Sequence, residues 1–205
     1  MKKLFTSDKF FKLAAFITLI AAVVADILTV ALGYLKNEQF IQSYFVYAIL
    51  VGIGAVVVYL SYKNHDKNTT KGMIGFLFAL LLMVDVNTLF NIGTPLMSLF
   101  DSICAIFLVI LDVLLIINHF VLGSDHGSRP NTVLFNQVLW IALVVMNIVG
   151  IVSIAVLHSG YFNDSLHGLN SVIYLFVYLF AFATIICVES RTDEYKAIRQ
   201  EKGKN

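Results

Sequence analysis

Asp26, Asp85 and Asp112 lie inside long apolar runs in which no Lys or Arg is placed to neutralise them. An ionised Asp at the centre of a membrane helix costs about 2.5 to 3.5 kcal/mol, so each must find a proton, a partner or water. Their spacing relates them to other polar residues. On the stretch that holds Asp26, Thr29 and Gly33 follow at i+3 and i+7, and Thr88 repeats the first step after Asp85. Asp101, Asp112 and His119 are separated by 11 and 7 residues, which at 100° per residue returns each to nearly the same helical azimuth. A carboxylate and an imidazole on one face can pass a proton through water, and carboxylates along a path give a cation a field and oxygen ligands. The same residues have a plainer use, since a protonated Asp can hydrogen-bond Asn147, Thr29 or a carbonyl and hold two helices together. Farther along, Asn170, Tyr174 and Tyr178 form a second stripe at steps of four.

These residues need a scaffold, and composition says what kind. The 205 residues are 59% hydrophobic and 13% charged, with mean hydropathy +0.86; a soluble domain carries roughly 25% charge. The expected fold is all-α, a polytopic bundle of six transmembrane helices forming one domain over 1–205, with a short cytoplasmic tail over 189–205. The spans lie near Leu13 to Leu35, Phe40 to Tyr62, Gly72 to Phe90, Pro95 to Leu122, Val133 to His158 and Leu169 to Val188. Both prolines, Pro95 behind Thr94 and Pro130, stand at span starts, so no span is broken. The first span is too long for a secretory signal despite Lys2 and Lys3 ahead of it.

Thirteen of the fourteen basic residues fall at the two ends of the chain or in the links between spans two and three and between four and five, leaving Lys36 alone on the other side. The positive-inside rule then puts both termini in the cytoplasm, with the plasma membrane as the expected location. Depth is consistent between helices: Asp26 follows Lys12 by 14 residues and Asp85 follows Lys71 by 14, about 21 Å of helix in each case.

The odd spans align as Val24-Ala25-Asp26-Ile27, Met83-Val84-Asp85-Val86 and Val145-Met146-Asn147-Ile148, at intervals of 59 and 62 residues. The even spans open on Gln42-Ser43, Asp101-Ser102 and Asn170-Ser171. This reads either as three copies of a helical hairpin, over 10–65, 70–125 and 130–190, or as apolar helices aligning through composition alone. As parallel repeats around the membrane normal, the hairpins would let the polar residues of the odd spans meet at a common axis.

Enzymatic chemistry finds little support, because neither Cys104 nor the membrane serines have a His at helical spacing on the same helix and no HExxH, GxSxG or phosphate-cradling loop is present. Cys104 and Cys187 read as small core residues, with no CxxC spacing. No metal and no cofactor is expected. Nucleic acid is not an expected partner, since the basic residues carry a topology signal. The expected partners are the lipid bilayer, a cation or proton, and a membrane-protein partner. In length and span count the chain resembles the substrate-binding components of vitamin uptake transporters and the six-span subunits of redox-driven ion pumps, but no motif of either is present and no residue is carried over. The leading expectation is a transporter or channel-like protein with a path past Asp101, Asp85, Asp26, Asp112 and His119. The alternative is a non-catalytic membrane subunit, a scaffold or immunity-type protein, in which these residues and Asn147 fix helix packing.

Overall fold

The computed structural model describes residues 2–36, 42–90, 99–117, 130–157 and 165–191, and the side chains of most of them. The described residues form seven helices and no strand: α1 (Lys2–Phe5), α2 (Asp8–Lys36), α3 (Gln42–Lys63), α4 (Lys67–Phe90), α5 (Leu99–Ile116), α6 (Pro130–Leu157) and α7 (Ser165–Glu189). The all-helical class is therefore plain. Among the described residues one stretch, Asp8–Ala31 in α2, is long and apolar enough to cross a membrane. Shorter apolar stretches run over Tyr47–Lys63, Ile106–Ile116, Val133–Met146 and Ile173–Glu189, each bounded on one side by residues whose side chains are not described. Pro95 lies outside the described residues, whereas Pro130 opens α6 as its missing N–H allows.

Local chemistry sets the described ends. The Ser7 carbonyl accepts from the Phe11 N–H at 3.0 Å, starting α2, and Asp8 in the first turn suits the positive end of the helix dipole. α3 closes on a Schellman arrangement: Asp66 N–H donates to the Ser61 carbonyl and His65 N–H to that of Tyr62, with His65 in the left-handed region at φ 58°. Asp66 then caps α4 by accepting from the Thr69 N–H at 3.1 Å, and that bond, with one from the Thr69 hydroxyl, holds its carboxyl below the usual carboxylate range.

Consecutive helices are neighbours from α2 to α7, and α7 packs back on α2, α3 and α4 and also on α1. Residues 181–187 of α7 are all buried. A run of seven buried residues covers every face of a helix, so α7 is enclosed over this stretch.

α2 and α3 approach closely where α3 carries Gly52. A Cβ there would meet the Leu19 Cα at 2.9 Å and the Ala22 Cβ at 3.2 Å, so the two backbones would have to separate. Gly54 differs, since a Cβ would meet the end of the Leu77 side chain. Gly72 on α4 is exposed and a Cβ there would meet nothing within 4 Å. The expected result is that Gly52→Ala destabilises the purified protein by about 1–3 kcal/mol through overpacking. Gly72→Ala stabilises it by up to about 1 kcal/mol through helix propensity. Thermal unfolding of both variants checks the pair, and equal effects would contradict the close approach.

Candidate functional site

Polarity in this bundle is arranged inside out. On α2, Ile20 and Ile27 are each 62% exposed, while Thr18 is fully buried and Asp26 is 2% exposed. α5 repeats the pattern, with Ile103, Ile106, Ile110 and Val113 outward and Asp112 at 0% exposure. On α6, Leu134, Phe135, Val138 and Val145 face outward while Asn136 and Gln137 are buried. A soluble monomer rarely leaves such continuous apolar faces bare.

Asp26 stands on the buried face of α2. One turn on, the Thr29 hydroxyl donates to the Ala25 carbonyl at 2.8 Å, and its oxygen lies 3.1 Å from the Tyr174 hydroxyl of α7. The Tyr174 hydroxyl is thereby held about one helical turn from Asp26, whose two carboxylate oxygens make no hydrogen bond among the described residues. The polar face of α2 and Tyr174 of α7 thus meet at one seam. All four carboxylate oxygens of Asp26 and Asp112 are buried.

Asp112 lies between the buried Leu111 and Leu115. α5 packs on α4 and α6, whereas α2 packs on α3 and α7, so the two acids stand on helices that are not principal neighbours. Asp85, Asp101 and Asn147 fall within α4, α5 and α6, but their side chains lie outside the described residues, as does His119 entirely. Of the residues selected by spacing, the structure therefore shows the surroundings of Asp26 and Asp112.

A second polar cluster gathers where α1, the start of α2, the end of α3, the start of α6 and the end of α7 come together. Arg191, 1% exposed, donates from Nη2 to the Thr6 carbonyl at 2.9 Å and lies 3.3 Å from the Asp8 carboxylate. Its guanidinium sits over the Phe11 ring at 4.6 Å and the Tyr62 ring at 5.7 Å. Lys63 bonds the other oxygen of Asp8, and that hydrogen bond, with the charges of Lys63 and Arg191, holds the carboxyl below its usual range. Asp8 stands at the start of α2 and is well exposed, so its share of the clasp is screened.

Beside it, Asn136 donates to Glu189 at 3.4 Å, Gln137 to the Ser190 hydroxyl at 2.8 Å, and the Trp140 indole to the Leu179 carbonyl at 2.6 Å. Phe5 of α1, fully buried, meets Phe10 and Trp140 edge-on, each at 5.5 Å. Sequence reading placed Glu189 and Arg191 in the cytoplasmic tail and counted Arg191 only among the one-sided basic residues. The available signal was an Arg directly after a span whose depth matches aromatic residues on two other helices.

Comparison of the chain with protein-family models, with characterised proteins and with solved structures finds no match in any of the three.

Proposed function

We propose that the protein is a six-span transporter or channel-like protein of the plasma membrane, with both termini cytoplasmic, in which buried acids line a route for a proton or cation. The observation that carries the reading is the inverted polarity: apolar faces outward on α2, α5 and α6, with Asp26 and Asp112 enclosed. Lipid is the solvent that suits such a surface, and carboxyl groups held away from it are costly unless they serve a path or a bond. The one-sided distribution of Lys and Arg supports the orientation. In this reading Asp101, Asp85, Asp26, Asp112 and His119 follow the route. Asn147 takes the place of the acid in the third hairpin.

The test is flux through the purified protein in liposomes. The proposal expects protons, Na⁺ or K⁺ to move down an imposed gradient at a rate well above that of empty vesicles. Tight vesicles for all three ions across about pH 5 to 8 would end it.

The second reading, a non-catalytic subunit or scaffold, is favoured by the Arg191 clasp. There, buried polar groups of α6 and α7 bond one another and tie α7 to α1 and α2. In that case no variant conducts, and substitutions at Asp26 and Asp112 change stability alone.

A further inference from the structure

We propose that Asp26 is a proton-binding site coupled to the Tyr174 hydroxyl, so that the ligand at this point of the route is H⁺ rather than a metal cation. The inference rests on the route proposed above and narrows it to one ligand.

A Ca²⁺ ion takes six to eight oxygens, and Mg²⁺ demands a near-octahedral set. Asp26 has the hydroxyls of Thr29 and Tyr174 close by, and Thr29 already donates to the Ala25 carbonyl. Among the described residues no group of three His, Cys, Asp or Glu side chains is placed to hold a metal ion. A proton needs one carboxylate oxygen.

Each of Asp26, Tyr174 and Thr29 can accept, and each hydroxyl has one hydrogen to give. The Thr29 O–H donates to the Ala25 carbonyl, and in the proposed switch the Tyr174 O–H turns to the carboxylate when Asp26 is ionised. When a proton arrives from water, an O–H bond forms on Asp26. The acid then donates to the Tyr174 oxygen, Tyr174 turns its hydrogen to Thr29, and Thr29 keeps its bond to Ala25. The proton is returned to water when the order reverses, so no other reactant is consumed. Because Tyr174 belongs to α7 and Asp26 to α2, the switch acts across the seam between them.

From α7 the titratable neighbour of the Asp26 carboxyl is Tyr174. From α3, which lies antiparallel with Gly52 against Leu19 and Ala22, the side chain one turn nearer Asp26 is the buried Ala48. Tyr47 beside it turns its hydroxyl to the Met83 sulfur of α4 at 3.6 Å. α1 packs at the other end of α2, where Phe5 and Thr6 meet Trp140 and Arg191. Among the described residues no charged side chain acts on Asp26.

The experiment is infrared difference spectroscopy of the protein in lipid while pH is stepped between about 8 and 5, reading the carbonyl stretch of a protonated carboxylic acid. The expected result is a titrating band that Asp26→Asn abolishes and Asp112→Asn leaves in place. Tyr174→Phe, which keeps the ring and removes the hydroxyl, moves the band to the frequency of a less hydrogen-bonded acid. Should Tyr174→Phe fold poorly, Thr29→Val is expected to give a smaller shift of the same sign. A wild-type spectrum unchanged by Asp26→Asn overturns the proposal, as does a Tyr174→Phe band at the wild-type frequency.

Liposomes carrying pH-, Na⁺- and K⁺-sensitive dyes separate this inference from the reading beneath it. Proton movement that Asp26→Asn suppresses supports both. Na⁺ or K⁺ flux without proton movement overturns the proton site and leaves the route standing. A titrating Asp26 band with no flux of any ion upholds the proton site and ends the route.

Discussion

Replacing Arg191 with Ala is expected to destabilise the protein by about 2–4 kcal/mol. The guanidinium carbon lies 4.6 Å from the Phe11 ring centroid and 5.7 Å from that of Tyr62, and cation–π contacts with desolvated rings run to about 2 kcal/mol. It also donates to the carbonyl of Thr6, just past the end of α1, where helix carbonyls lack partners of their own. Ala removes both interactions and leaves a void beside the buried Phe5 and Phe11.

The side chain recovers part of its value through shape. A charge at 1% exposure is itself costly, so Arg191→Met, which refills the space, is expected to lose less than Ala. Arg191→Lys should resemble Ala more closely, because an ammonium cannot lie flat on a ring. Asp8→Asn costs less than any of these, since Asp8 is solvated. Thermal unfolding of the purified variants checks the order. An Arg191→Ala protein within about 0.5 kcal/mol of wild type would place Arg191 outside the clasp.

Asp112→Asn is expected to cut ion flux by roughly tenfold or more while leaving thermal stability near that of wild type. Asn keeps the size of the side chain and its hydrogen-bonding capacity but can neither hold a charge nor titrate. Asp112→Ala should lose flux equally and also lose about 1–3 kcal/mol of stability, because the partners of a fully buried polar group are left behind. The split between the variants distinguishes the readings. Stability loss in Ala, with no flux in wild type or either variant, would assign Asp112 to packing.

How much of this was legible in the chain depended on whether a residue's role is set along a helix or between helices. The all-helical class, the placement of Asp26 with Thr29 on one face, and the Tyr174 stripe follow from periodicity. The meeting of that face with Tyr174 does not, because no local rule fixes which helices are neighbours. The enclosure of 181–187 in α7 was equally hidden. A side chain against lipid and one against protein are both apolar in a membrane bundle, so composition cannot tell the inner helix from an outer one.

Arg191 and Glu189 were missed for the opposite reason. A charge at the end of an apolar helix is by default solvated, and here the aromatic residues of α2 and α3, the Thr6 carbonyl and Asp8, together with Asn136 on α6, make their burial tolerable. Asp85, Asp101, His119 and Asn147 rest on spacing alone, and the proposal that they share a route or a hairpin repeat stands on that spacing.

The inverted polarity and the one-sided basic residues make a single claim, that six helices cross a bilayer with both termini inside. Single cysteines at Asn68, Asn131, Asn163 and Asn205, in a protein lacking Cys104 and Cys187, test it in intact cells with a membrane-impermeant thiol reagent. The account predicts labelling at Asn163, and labelling at Asn68, Asn131 and Asn205 only after the cells are opened. Equal labelling of Asn68 and Asn163 in intact cells would contradict it.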